Sequence, residues 1–87
     1  YRLSTYPNPV RKRATVELAV KERQRVTVTV YDVLGRQVTT LHEGRLPAQE
    51  TNRLSLDASG LGLSSGTYVV RVNGEDFVAT KRLTVVR

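Results

Sequence analysis

Gly62-Leu63-Ser64-Ser65-Gly66 spells G-x-S-x-G, the spacing with which hydrolases raise a nucleophilic serine on a sharp turn between a strand and a helix. That chemistry needs a helix after the turn and an acid followed by a histidine further along the chain. Here a strand-like run, Tyr68-Val69-Val70-Arg71-Val72, follows the motif, and the single histidine, His42, precedes it. The stretch therefore reads as a flexible loop. It also comes close to the phosphate-cradling G-x-G-x-x-G, but Ser65 stands where the last glycine is needed and no helix follows to hold a pyrophosphate. His42 adjoins Glu43, yet there is no second histidine and no cysteine, too few ligands for a transition metal. Glu75 and Asp76 are neighbours, and neighbouring strand residues point to opposite faces, which rules against paired acid/base work. No cofactor is expected.

Composition narrows the classes further. Eighty-seven residues make one domain with one core, and a domain of this size buries roughly 60 to 70% of its unfolded surface. The absence of cysteine excludes disulfides and thiol chemistry but fits both the cytosol and exported bacterial domains. The absence of methionine reads as a piece of a longer translation product, with any export signal on the missing part. No run is long enough for a membrane-spanning helix. The net charge of +6 comes from basic residues spread along the chain, densest at Arg11-Lys12-Arg13, with five aromatics among them. Nucleic-acid binders group such charges on one face with interleaved rings, so a solvated basic surface is the expectation and no nucleic-acid partner is assigned.

The elements that must position these groups are strands. Ala14, Val16, Leu18 and Val20 alternate with polar positions, as do Val26, Val28 and Val30, and the charged Lys21-Glu22-Arg23-Gln24-Arg25 between them suggests a hairpin. Asp32-Val33-Leu34-Gly35 has the signature of a type I turn, with Asp32 capping the turn amides and Gly35 supplying positive φ. The matching register sets Asp32 against Arg36, Tyr31 against Gln37, Val30 against Val38 and Thr29 against Thr39, with a bulge or strand end near Thr39-Thr40. Residues 42–49 read as a connection, Leu54 and Leu56 as a short strand, and residues 60–66 as a loop.

Asn73-Gly74 predicts a two-residue type I′ hairpin, which would set Arg71 against Asp76, Val70 against Phe77 and Tyr68 against Ala79. In the last run Phe77, Ala79, Leu83 and Val85 share one face, and Lys81 falls in the same inward phase, which suggests that the strand leaves the core there, bulges, or snorkels the ammonium to an edge. About seven short strands and no helical stripe predict an all-β fold, a small antiparallel immunoglobulin-like β-sandwich.

Tyr6-Pro7-Asn8-Pro9 marks a boundary. Proline lacks an amide proton and fixes φ, so residues 1–5 read as the end of a linker and residues 6–87 as the folded domain.

In order along the chain, Y-P-N-P, V-Y-D-V-L-G-R-Q-V, L-D-A-S-G-L followed by S-G-T-Y-V-V-R-V, and F-V-A-T-K-R-L-T-V-V resemble the C-terminal sorting domains of type IX secretion substrates. The resemblance covers residues 6–87, and flagellar hook-capping immunoglobulin-like modules share its middle motifs. It implies an address rather than a catalyst: export through the periplasm, recognition by the outer-membrane translocon, removal by a cysteine-protease sortase, and attachment of a cargo, often a hydrolase, to anionic lipopolysaccharide at the cell surface. On that resemblance Gly66, Tyr68, Lys81, Leu83, Val85, Val86 and Arg87 match the recognition end, and Tyr6, Pro7, Asn8 and Pro9 the start of the domain near which processing occurs. Residues 60–66 exceed the compact form of the family's loop. The last strand is expected to be open to edge addition by a receptor, with the tetrapeptide, at the opposite end of the chain, as the hinge between a missing cargo and this terminal address. Two alternatives come from other classes: a carbohydrate-binding module using Tyr1, Tyr6, Tyr31 and Tyr68, and a structural immunoglobulin-like spacer.

Overall fold

A computed structural model describes all residues 1–87 as seven strands: β1 (Arg2–Tyr6), β2 (Arg13–Ala19), β3 (Gln24–Asp32), β4 (Gln37–Leu46), β5 (Asn52–Asp57), β6 (Gly66–Asn73) and β7 (Val78–Val85). They form a three-stranded sheet in the order β1-β2-β5 facing a four-stranded sheet in the order β4-β3-β6-β7, every pair antiparallel. The all-β sandwich expected from the alternation is what the chain builds. Compared with the constant-type immunoglobulin order, the fourth strand joins β3 instead of extending the smaller sheet.

Valine dominates the core, as suits β-branched side chains on a pleated, half-buried surface. Ala14, Val16, Leu18 and Val20 from one sheet meet Val26, Val28, Val30, Val70, Val72, Leu83 and Val85 from the other, all buried. The alternation thus identified the inward faces correctly, but the expected hairpin between the first two runs does not form. β2 pairs with β1 and β5, and β3 pairs with β4 and β6. Two strands that each carry one apolar row can bury those rows face to face, which removes more apolar surface from water than pairing side by side.

Other expectations shift locally. Residues 1–5, read as linker, contribute β1: Leu3 lies opposite Leu18 and packs against the core. Residues 42–46, read as connection, continue β4 to Leu46, which is buried. The Asp32 hairpin keeps its turn and its Tyr31–Gln37 pair, but Val30 faces Thr39 and Thr29 faces Thr40, with irregularities at Val38 and again at Leu41. Two extra residues in β4 do what one bulge was expected to do.

The β6–β7 hairpin is longer than a type I′ turn allows. Asn73 faces Val78, Arg71 faces Thr80 and Tyr68 faces Leu83, while the Gly74 N–H donates to the Phe77 carbonyl at 2.8 Å. Gly74 does not adopt positive φ, and Arg71 and Asp76 are not partners. The cause is Gln24. Its amide oxygen accepts the Glu75 N–H at 2.9 Å and the Glu75 carboxylate accepts the Arg25 N–H at 2.6 Å, so the tip is tied to the start of β3. Each predicted partner moves by four residues, an even number, and the inward face of β7 is therefore the expected one.

Candidate functional site

The first ten residues run alongside β7 and change sheets on the way. Arg2–Tyr6 pair with β2; beyond the kink at Pro7 and Pro9, Val10 pairs in parallel with Val85 of the opposite sheet. The Val10 N–H donates to the Thr84 carbonyl at 2.7 Å, the Val86 N–H donates to the Val10 carbonyl at 2.8 Å, and the Thr84 N–H donates to Asn8 Oδ1 at 3.0 Å. Prolines suit this crossing because a strand that switches partners would otherwise leave amide protons without acceptors. Both X-Pro bonds here are cis. The tetrapeptide, at the opposite end of the chain in sequence, thus lies beside the last strand in space. It is fastened to it, and Val10 is fully buried.

The same end collects the residues matched to the recognition end. Gly66 opens β6 opposite Val85, and the Arg87 N–H donates to Ser65 Oγ at 3.0 Å. Tyr68 is buried and its hydroxyl donates to the Ser64 carbonyl at 2.8 Å. Residues 60–66, expected to be flexible, are held at several points. The Asp57 carboxylate accepts the Gly60 N–H at 2.8 Å, the Leu63 N–H donates to Ala58, and Leu63 itself is buried. Ser64 and Ser65 thus serve as acceptors that fix Tyr68 and Arg87, a use the G-x-S-x-G match does not reveal.

Of the seven residues, Tyr68, Leu83 and Val85 are core side chains and present nothing to a partner, whereas Lys81 and Arg87 are exposed and Val86 is half-buried. Lys81 faces Val70 across the hairpin, in the inward phase, yet it reaches solvent because β7 is the last strand of its sheet and β1 belongs to the other. It borders an open cleft of about 620 Å³ with Arg2, Leu3, Ser4, Glu17 and Arg53. Arg53 and Glu17 pair at 2.9 Å across β5 and β2, which leaves Arg2 and Lys81 without a carboxylate partner.

At the β3–β4 hairpin, which lies at this same end with Asp32 opposite Tyr68, Asp32 Oδ1 accepts the N–H groups of Leu34 and Arg36 at 2.9 Å each, and Oδ2 accepts from Arg36 Nε at 2.9 Å. The backbone N–H of Arg36, above all, holds the Asp32 carboxyl below the ordinary aspartate range; desolvation, next in size, opposes it, and the side-chain bond of Arg36, the N–H of Leu34 and the charge of Arg36 add to the lowering. The expected cap is present, and Gly35 has φ of 80°.

The tyrosines form no common platform. Tyr68 is buried, Tyr1 stacks on Phe77 with ring centroids 4.7 Å apart, and Tyr6 sits at the far end of β1 from Tyr1. Tyr31 lies on the outer face of the four-stranded sheet. His42 is on β4, with Nε2 3.2 Å from the Gly44 carbonyl. Two structural residues escaped the sequence reading. Gln24 carried a usable signal, because it falls in phase with Val26, Val28 and Val30 and is buried like them. Ser65 carried none.

Among curated proteins none matches the chain. The family model described as the secretion system C-terminal sorting domain matches residues 4–86 of the 87, from within β1 to the residue after β7, and thus spans both the sheet-switching segment and the last strand. The chain accordingly belongs to the family of type IX secretion system C-terminal sorting domains.

Proposed function

We propose that this domain is a non-catalytic address that takes an attached cargo, such as a secreted hydrolase, through the outer membrane by way of the type IX translocon and on to the cell surface. The observation that carries the reading is the family match over residues 4–86. The structure lends it physical support: the domain closes a core without disulfides, and its last residues are fastened at the surface beside Asn8 and Ser65. In this reading residues 6–87, together with β1, form the sorting unit. The translocon and the sortase are its polypeptide partners, anionic lipopolysaccharide is the anchor of the delivered cargo, and the exposed Lys81, Val86 and Arg87 belong to the surface that the machinery meets. The periplasm is a station on the way. No helix of the chain is long and apolar enough to cross a membrane.

The test is a fusion of residues 1–87 to a periplasmic reporter in a diderm host carrying the type IX machinery. The reporter is expected at the surface or in the medium, and it is expected to stay periplasmic in a translocon-deficient strain. Deleting Val86 and Arg87, which spares the buried Leu83 and Val85, should abolish export while the domain stays folded. Retention of the intact fusion in the periplasm overturns the reading.

A further inference from the structure

The outer side of β7 is covered over only part of its length. Thr84 spends both backbone groups on residues 8 and 10, so the even positions of this strand point away from β6. By antiparallel alternation Val78, Thr80 and Arg82 turn their N–H and C=O groups outward in the same way, and no backbone bond reaches them from that side. β1 runs past this stretch but pairs with β2. The result is a five-residue window, roughly 17 Å of strand, bounded by the Tyr1–Phe77 stack at one end and by Asn8 at the other. Val78, Thr80, Lys81 and Arg82 are all exposed.

Charge along the window itself is basic. Arg82 and Arg71, which flanks Thr80 from β6, lie on the outer face, and Lys81 and Arg2 line the cleft on the other. None of the four is in an ion pair; of the nearby acids, Glu17 is engaged with Arg53 and Glu75 with the Arg25 N–H, while Asp76 stands just before the window beside Phe77. An added strand would place successive side chains alternately beside Arg82 and beside Lys81, so acidic residues find a cation in either phase. A second copy pairing through the same edge would bring two Lys81 and two Arg82 side chains into one seam, which charge disfavours.

We propose that the edge of β7 at residues 78–82 takes up an extended acidic polypeptide segment as an additional strand, with backbone bonds to Val78, Thr80 and Arg82 supplying affinity and the four cations supplying selection. This deepens the sorting reading and rests on it for the existence of such a partner. It assigns the partner's chemistry and its place.

The test titrates the isotope-labelled full chain with a short blocked peptide alternating glutamate and valine, and separately with its lysine-valine counterpart. The acidic peptide should shift the amide signals of Val78, Thr80 and Arg82 and slow their hydrogen exchange, leaving Val10 and Val86 unaffected. Thr80→Pro, which removes an outward N–H without touching the ladder to β6, should abolish binding. Arg82→Glu should weaken it about fivefold, and this variant serves should the proline variant not fold. Shifts elsewhere, equal binding of the lysine peptide, full binding by either variant, self-association through this edge, or no binding overturn the proposal. Failure here leaves the reporter fusion exported; failure of the sorting reading leaves the reporter in the periplasm whatever the peptide does.

Discussion

Val10 and Val85, 75 positions apart in sequence, lie side by side as a parallel pair, both buried, with the Val10 backbone bonded to Thr84 and Val86 on either side of its partner. This pair joins the beginning of the fold to its last strand and closes one flank of the sandwich. Val10→Ala removes two buried methyl groups with little room for collapse between two sheets, and should cost about 2 kcal/mol in urea unfolding. Asn8→Ala removes only the exposed acceptor of the Thr84 N–H and should cost about 0.5 to 1.5 kcal/mol. If both variants unfold at the midpoint of the parent, the segment is not fastened in solution.

Gly35 and Gly74 both resist substitution, for different reasons. At Gly35, φ is 80° and an added Cβ meets nothing within 4 Å, so alanine should cost about 1 to 2 kcal/mol and asparagine much less. At Gly74 the backbone is ordinary, but a Cβ would strike the Phe77 ring and come within 2.7 Å of Gln24 Oε1. Alanine there should cost about 1 to 3 kcal/mol, asparagine should not help, and Phe77→Leu should recover part of the loss. Thermal melts of the four single variants and the Gly74→Ala, Phe77→Leu pair check the distinction.

The contrast between these glycines indicates how far sequence reasoning reaches. Period-two alternation located the inward faces of β2, β3 and β7 because burial of one face is a local demand that each strand states for itself. The Asp32 turn was legible because aspartate and glycine each meet a need within four residues. Strand partners were not legible where the choice rests on contacts distant in sequence. Nothing local says that β2 and β3 belong to different sheets, or that Gln24 ties down a hairpin some fifty positions away. The candidate site suffered most, since Asn8 and Val10 reach the last strand only through the change of sheet between Tyr6 and Val10.

Asp32 ties stability to pH. Its carboxyl in the folded chain lies below the unfolded value, so the folded state is favoured by the ionised form: this contribution is present above the unfolded pKa and is lost as pH falls through the folded one. Asp32→Asn keeps an oxygen for the N–H groups of Leu34 and Arg36 but removes the charge facing Arg36. The variant should melt below the parent at neutral pH, and the gap should close as pH is lowered into the acid range. A gap that stays constant from neutral to acid pH contradicts the assignment.

Lys81 is the one charged residue of β7 in the inward phase, opposite the buried Val70. Its exposed ammonium makes no ion pair, so its removal should change stability by no more than about 0.5 kcal/mol. Lysine on a sheet edge ordinarily discourages pairing with a neutral strand or another copy, and Lys81 stands on the open edge at residues 78–82. Lys81→Val should therefore melt close to the parent but self-associate, with sedimentation or light scattering showing mass that grows with concentration and falls again when Thr80→Pro is added. The acidic peptide should compete with that association, because both would use the same backbone groups. A monomeric Lys81→Val chain at high concentration would assign the edge's protection to the twist of the sheet, not to this charge.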